Sequence, residues 1–334
     1  MSRPLPLLLS LALLGLAAAP AGAETQLAAE QRPFSASGVG DTVVWSSFDP
    51  AAEAYRLVTL RDGAPVALPV PPSAEAFDVD VGTNRSGTPV AVYSRCAQPA
   101  PSVVPPDFSP RGCDIYRYDF ASRTEQRLTT LSSPTADERQ PTAWRGEIAF
   151  VRENARGTEL RIGNTTRGAR GTRRLTSLRR GRGYITDPQL SLYRIAYVAT
   201  TSGRSEFGER VVHVLTLRSR RDRAIYTARS GGANFANVSR PSWSGVTGRS
   251  LYFARTNQGS GTGNRFIRWS TRTRRFAYAQ GDRQAVSTTW LGGRAGLLVT
   301  TDTGGGSCDT SPTSPPRSRC RLYTTGPLSF RARP

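Results

Sequence analysis

The stretch "ERQPTAWRGEIAFVRENARGTELRIGN", residues 138–164, contains the pattern that decides the fold of this chain. A polar approach leads through Pro141 and Trp144 to a turn at Gly146, and the apolar run 148–151 follows. A second turn and another alternating segment complete the stretch. Short alternating or apolar runs between glycine turns predict antiparallel β-strands.

The same phrase returns along the chain. Residues 240–255, "RPSWSGVTGRSLYFAR", repeat it closely, with Trp243 before the turn and Phe253 in the strand after it. Weaker copies are "FSASGVGDTVVWSS", "FDVDVGTNRSGTPVAVYS", "TDPQLSLYRIAYVAT" and "STTWLGGRAGLLVT". The six units begin near residues 33, 76, 138, 186, 238 and 285. No segment after residue 23 has a convincing helical period.

A period of roughly 40 to 50 residues with four strands per unit predicts a β-propeller. We therefore expect residues 24–334 to form one all-β domain, a six-bladed propeller of four-stranded antiparallel blades. Trp144, Trp243 and Trp290 occupy equivalent places in their units, where a large ring can fill the gap between adjacent blades. We expect packing rather than ligand stacking from all three.

The repeat also resembles a known family. The pattern "P-x-W-S…G…I-A-F-V", followed by a strand and "RLT", is similar to the repeat of TolB-type, WD40-like propellers. The resemblance covers nearly all of residues 24–334 and is strongest in the units that begin at 138 and 238. It implies a six-bladed ring that acts as a binding or docking platform. The usual Asp before the turn glycine is absent from most units, and Arg145 takes its place in the quoted stretch.

The N-terminal segment reads as a secretory signal peptide. An apolar run from Leu5 to Ala19 precedes Ala21, Gly22 and Ala23, which suit a cleavage site after residue 23. A retained membrane anchor is the alternative, but the run is shorter than the about 20 residues that span a bilayer. We expect residues 1–23 to be removed and the protein to be exported to the periplasm, the cell envelope or the medium. No later stretch is apolar and long enough for a transmembrane helix.

Export makes disulfides plausible, and the chain has four cysteines, Cys96, Cys113, Cys308 and Cys320. Three pairings are open. The spacing favours the two local ones, Cys96 with Cys113 and Cys308 with Cys320. A zinc site is the alternative use, but the cysteines lack the short spacing of zinc ligands and the chain has a single histidine. We predict no bound metal and no cofactor.

The formal net charge is +20, and because the sequence has no Lys, all 45 basic side chains are Arg. This composition reflects coding bias as much as selection. The densest basic segment, residues 167–184, supplies a predicted polyanion site at Arg173, Arg174, Arg179, Arg180 and Arg182. A solvated outer edge is the competing interpretation. Aromatic residues are sparse in the segment, so nucleic acid is not an expected partner.

The sequence contains few residues in patterns typical of a catalytic site. His213, the single histidine, lies in the apolar strand "VVHVLTL", and no G-x-S-x-G elbow exists. The remaining candidates are carboxylates of inner strands, with Asp78, Glu138 and Asp187 predicted at the rim of the central channel. These acids allow an alternative function, a channel-based hydrolase or lyase that acts on a carbohydrate. Neutralisation of nearby arginines is their competing role.

We therefore predict an exported, monomeric, non-enzymatic propeller that binds a protein or an anionic cell-envelope polymer.

Overall fold

The computed structural model of the chain describes residues 25–30, 35–98, 111–164, 172–201, 208–229, 235–244, 248–258, 264–281, 285–290, 297–303, 319–325 and 331–332. Within these ranges, every regular element is a β-strand. The same ranges contain no helix of the length and hydropathy that a membrane span requires. The predicted all-β class is confirmed.

The first strand of the described residues is β1 (Thr25–Glu30), which belongs to the last sheet. Sheet 1 contains β2 (Ala36–Val39), β3 (Thr42–Asp49), β4 (Ala54–Arg61) and β5 (Ala64–Ala67). Sheet 2 contains β6 (Asp80–Thr83), β7 (Pro89–Gln98), β8 (Arg111–Asp119) and β9 (Thr124–Arg127). Sheet 3 contains β10 (Asp137–Trp144), β11 (Glu147–Asn154), β12 (Gly157–Asn164) and β13 (Arg173–Arg179).

Sheet 4 contains β14 (Gly183–Leu190), β15 (Arg194–Thr201), β16 (Glu209–Thr216) and β17 (Arg221–Arg229). Sheet 5 contains β18 (Phe235–Val238), β19 (Ser242–Trp243), β20 (Ser250–Gln258), β21 (Asn264–Ser270) and β22 (Phe276–Gly281). Sheet 6 contains β23 (Ala285–Trp290), β24 (Leu297–Thr303) and β25 (Arg319–Thr325), with β1 as its fourth strand. The short β26 (Arg331–Ala332) pairs with β22 at the outer edge of sheet 5.

In sheets 1 to 4, the second strand is buried on both faces. In β11, the four consecutive residues Ile148–Val151 are all buried, whereas in β12 only alternate residues such as Leu160 and Ile162 are. A strand that is covered on both faces needs a continuous apolar run, because side chains alternate between the faces. The second strand of the repeat is apolar for this reason.

Each sheet packs against the next in chain order. Buried clusters join neighbouring sheets, as shown by the pairs Leu57 with Phe77, Val92 with Phe150, Leu160 with Tyr197, Val214 with Phe253, and Trp45 with Leu322. Sheets 5 and 6 meet through β20 and β23. The sheets form a propeller of four-stranded antiparallel blades, which confirms the predicted architecture at that level.

Two of the tryptophans pack between sheets as expected. Trp243 is buried between sheets 4 and 5, where its Nε1 donates a 2.9 Å hydrogen bond to the Gln189 carbonyl. Trp144 packs against the cluster between sheets 3 and 4. The side chain of Trp290 lies outside the described residues.

The start of the chain closes the ring. Glu30, the last residue of β1, is buried, and its carboxylate accepts hydrogen bonds from Trp45 Nε1 at 2.7 Å and from Ser47 Oγ at 2.8 Å. Both donors lie on β3 of sheet 1. The fourth strand of sheet 6 therefore comes from the N-terminus rather than from the last repeat, and it links that sheet to the first.

Candidate functional site

Inner strands line the central channel, and their polar side chains link one sheet to the next. At three equivalent positions, an inner-strand side chain accepts a hydrogen bond from a backbone N–H of the following sheet. The three bonds are Val81 N to Ser37 Oγ at 3.0 Å, Ala143 N to Asp80 Oδ2 at 3.2 Å, and Leu190 N to Thr142 Oγ1 at 3.1 Å. These side chains satisfy backbone groups that would otherwise be unpaired at the channel wall.

Asp80 is the centre of this channel network. Its buried carboxylate also accepts hydrogen bonds from Ser37 Oγ at 2.8 Å and from Gln189 Nε2 at 3.4 Å. Arg240, from sheet 5, approaches the same carboxylate at 3.6 Å and donates to the carbonyls of Val79 and Pro141 at 2.8 and 3.3 Å. Groups from four other sheets meet around this one carboxylate, so its hydrogen-bonding capacity is taken up by the protein.

A second set of bonds connects Asp78, Gln140 and Asp187. Asp78 accepts from the backbone and hydroxyl of Ser94, both at 2.6 Å, and from Gln140 N at 2.5 Å. Gln140 Oε1 in turn accepts from Asp187 N at 3.0 Å. Gln140 and Asp187 have φ angles of 52° and 53°, a left-handed conformation that non-glycine residues seldom adopt. The register of β10 and of β14 shifts at these two residues, which turns the bulged backbone toward its neighbour.

Glu138 does not lie at a solvent-filled rim with the other two predicted carboxylates. It is fully buried, and its carboxylate accepts from Arg152 Nε at 2.7 Å and from Ser133 N at 3.2 Å. Burial raises the pKa of Glu138 to about 7, although the Arg152 guanidinium opposes that shift. Glu138 and Asp187 lie on inner strands as expected, but the structure pairs Glu138 with Arg152 and does not bring it together with Asp78 and Asp187.

A large pocket opens on one face of the propeller, which we call the upper face. The start of β8, the β11–β12 turn, the end of β15, the start of β16 and the links into β10 and β14 lie there. The pocket lies between sheets 2, 3 and 4 and has a volume of about 1030 Å³. We call it the upper pocket.

The charges of the upper pocket are unequal. Its wall contains five arginines, Arg111, Arg127, Arg139, Arg180 and Arg210, and three carboxylates, Asp114, Asp137 and Glu153. Asp114 pairs with Arg127 at 2.6 Å, and Glu153 pairs with Arg139. Asp137 accepts a 3.0 Å hydrogen bond from Cys113 N. The excess of arginine makes the pocket attractive to an anion.

The five arginines of the predicted polyanion site lie at two opposite ends of β13. Arg173 and Arg174 begin β13 at the lower face, and Arg174 lies 3.6 Å from the Glu159 carboxylate. Arg179, Arg180 and Arg182 follow at the other end of the strand, about 20 Å away. Arg180 is part of the upper pocket wall. The five side chains therefore do not form one surface patch, and only the last three adjoin the pocket.

The Cys96–Cys113 disulfide forms as the spacing predicts and joins residues paired across β7 and β8. Cys113 and the two residues before it line the upper pocket, so the bridge anchors one wall of it. Cys308 and the side chain of Cys320 lie outside the described residues, and their pairing stays a prediction.

His213 is held in a cross-strand cluster of sheet 4. Its ring stacks on Tyr197 with centroids 4.9 Å apart, and its Nδ1 lies 3.2 Å from Asp222 Oδ1. Tyr197 also donates a hydrogen bond to Asp222. Burial alone would raise the pKa of Asp222, but the bonds from His213 and Tyr197 outweigh it and lower that pKa. Tyr93 on β7, Tyr116 and Glu125 make a similar arrangement in sheet 2, which indicates a structural role for both.

Other pocket residues were not foreseen from the sequence. Arg139, Thr186, Thr200 and Arg210 come from β10, β14, β15 and β16. The one signal that the sequence offers is that Arg139, Thr200 and Arg210 lie near the ends of their strands on the upper face, whereas Thr186 lies in the middle of β14.

Comparisons with known proteins support the fold. No protein-family model and no curated protein matches the sequence. Among solved structures, TolB from Acinetobacter baumannii is similar with a TM-score of 0.54 and 15% identity, over 78% of this chain and 58% of that one. The present chain thus spans less than two thirds of that protein.

Two further structures are similar at lower identity. An α-L-arabinofuranosidase from Fusarium graminearum has a TM-score of 0.55 and 9% identity, over 88% of this chain and 93% of that one. A chain of a nidogen/laminin complex has a TM-score of 0.51 and 8% identity, over 80% and 85%. At such identities the likeness shows the fold alone, and at that level the resemblance to TolB-type propellers is confirmed.

Proposed function

We propose that this chain is an exported, non-enzymatic, six-bladed β-propeller that binds an anionic partner of the cell envelope through its upper face. The partner is a polymer or an acidic protein surface. Six blades account for the six sheets of the described residues and for the contact of each sheet with the next. We propose a monomer, since the outer edge strands β13 and β17 carry several arginines, and charged edge strands disfavour edge-to-edge pairing.

The observation that carries the proposal is the upper pocket. It is concave and contains more arginine than carboxylate, and Arg179 and Arg182 extend the basic surface beside it. The guanidinium group can bind a carboxylate or a phosphate through two parallel hydrogen bonds. The predicted signal peptide and the Cys96–Cys113 disulfide support export.

The alternative of a carbohydrate hydrolase or lyase has weaker support. A glycoside hydrolase needs two carboxylates that face one substrate cavity. Asp78 accepts three hydrogen bonds from the protein, Asp80 lies beside Arg240, and Glu138 is buried with Arg152. The carboxylates of the upper pocket also pair with arginine or with backbone. These pairings favour a binding protein.

The test compares two triple variants with the same loss of charge. R179Q/R180Q/R182Q removes arginines beside the upper pocket, and R218Q/R220Q/R221Q removes exposed arginines from the β16–β17 turn on the opposite face. On a heparin matrix, the first variant should elute at clearly lower salt than the second, because only the first changes the binding face. Equal losses would show that net charge alone governs binding, and the proposal would then fail.

A further inference from the structure

We propose that the ligand of the upper pocket is an acidic oligosaccharide, a chain of sugar units that carry carboxylate or phosphate groups. This proposal rests on the proposed function, because it identifies the chemical class of the anionic partner at the same face.

The wall of the upper pocket does not suit a peptide strand. Extended peptides bind to open sheet edges, where unpaired backbone groups continue the ladder. Here the inner-strand N–H groups of the wall are already in use: Ile185 N donates to Thr158 Oγ1 at 2.9 Å, and Gln140 N donates to Asp78. The wall also contains five arginines and three carboxylates, whereas a helix that binds through its apolar face requires a hydrophobic groove.

Hydroxyl groups are abundant in the same wall, which contains Ser133, Thr135, Thr158, Thr186, Thr200 and Thr201. A side-chain hydroxyl donates and accepts, and so matches the hydroxyls of a sugar. The Oγ1 atoms of Thr186 and Thr200 are buried and have no hydrogen-bond partner within the described residues. Thr200 is only 6% exposed. Buried polar groups are normally satisfied, and one ordered water can connect such a hydroxyl to a bound ligand.

The charged groups of the pocket complement an acidic sugar in two ways. A guanidinium has several N–H donors and a carboxylate about four acceptor sites, so the arginines and carboxylates of the wall, which already have partners within the protein, can also bind the oxyanions and hydroxyls of the ligand. A purely anionic ligand without hydroxyls would meet repulsion from Asp114, Asp137 and Glu153. Tyr184 is the one aromatic residue among the described residues of the wall, whereas single-stranded nucleic acid is bound by several stacking platforms.

Isothermal titration with charge-matched probes tests this proposal. The probes are an alginate hexamer, which is a uronic acid chain, a hexaglutamate peptide of equal charge, and cellohexaose, which is neutral. We expect the alginate hexamer to bind at least tenfold more tightly than either of the others. A phosphorylated oligomannose of similar size forms a further arm: tighter binding than alginate would identify phosphate as the anionic group and equally support an acidic sugar.

The variant T186V/T200V isolates the hydroxyl contribution. Because these oxygens have no partner in the described protein, their removal should leave the melting temperature unchanged, which a thermal melt checks. The variant should weaken alginate binding about threefold to tenfold and leave hexaglutamate binding unchanged.

Two results distinguish a failure of the sugar proposal from a failure of the proposed function. If hexaglutamate binds as tightly as alginate and R179Q/R180Q/R182Q weakens both, the sugar proposal is overturned while the proposed function stands. If that variant weakens neither probe more than R218Q/R220Q/R221Q does, the proposed function fails as well.

Discussion

The central channel and the upper pocket are built from the same polar residue types, but these residues have different surroundings. In the channel, Asp80 and Thr142 each accept hydrogen bonds from a neighbouring sheet, and Arg240 lies beside the Asp80 carboxylate. In the pocket, the hydroxyls of Thr186 and Thr200 have no partner within the described residues, and arginine exceeds carboxylate. The channel groups therefore hold the sheets together, whereas the pocket groups retain capacity for a ligand.

The largest expected effect is the loss of stability on breaking the ion pair between Arg240 and Asp80 in the channel, which we call the channel pair. R240A would leave the buried Asp80 carboxylate without its cation, which typically lowers the free energy of unfolding by about 3 to 5 kcal/mol. The matched control is R127A, which breaks a pocket ion pair whose arginine side chain is 51% exposed. An exposed pair contributes about 1 kcal/mol or less. Urea denaturation of both variants measures the difference, and similar losses would show that the channel pair does not hold the sheets together.

A smaller effect concerns pH and the buried Glu138. Its carboxyl ionises near pH 4.5 in the unfolded chain but near pH 7 in the folded protein, so the folded state binds the proton more strongly. Its contribution to stability is therefore present below pH 4.5 and is lost as the pH rises through about 7. Between pH 5 and pH 8, the free energy of unfolding should fall by on the order of 2 kcal/mol more in the wild type than in E138Q. Parallel profiles for the two proteins would contradict this assignment.

The fold could be predicted from the sequence because the features that define a blade recur in each repeat. An apolar second strand, such as Ile148–Val151, is required when both faces of a sheet are covered, and the turn glycines recur at the period of the blade. The closure of sheet 6 could not be predicted in the same way. The strand β1 lacks the repeat pattern, and its role depends on long-range contacts between Glu30 and β3.

The site was less predictable. Asp78 and Asp187 were identified as inner-strand acids, but their hydrogen bonds depend on bulges at Gln140 and Asp187 that residue alternation does not reveal. The dense arginine segment suggested one patch, yet a strand of seven residues separates its two ends. The pocket itself combines residues of sheets 2, 3 and 4 that lie far apart in the sequence, so no local motif marks it.

The most direct test of the central claim is the hydrogen-exchange footprint of a heparin-derived hexasaccharide. If the upper pocket is the binding face, bound ligand should slow exchange in residues 133–140, 153–158 and 179–186, which contribute to or adjoin its wall. Exchange in the β16–β17 turn on the opposite face should stay unchanged. Protection of that turn without protection of the pocket segments would contradict the claim that anionic partners bind at the upper face.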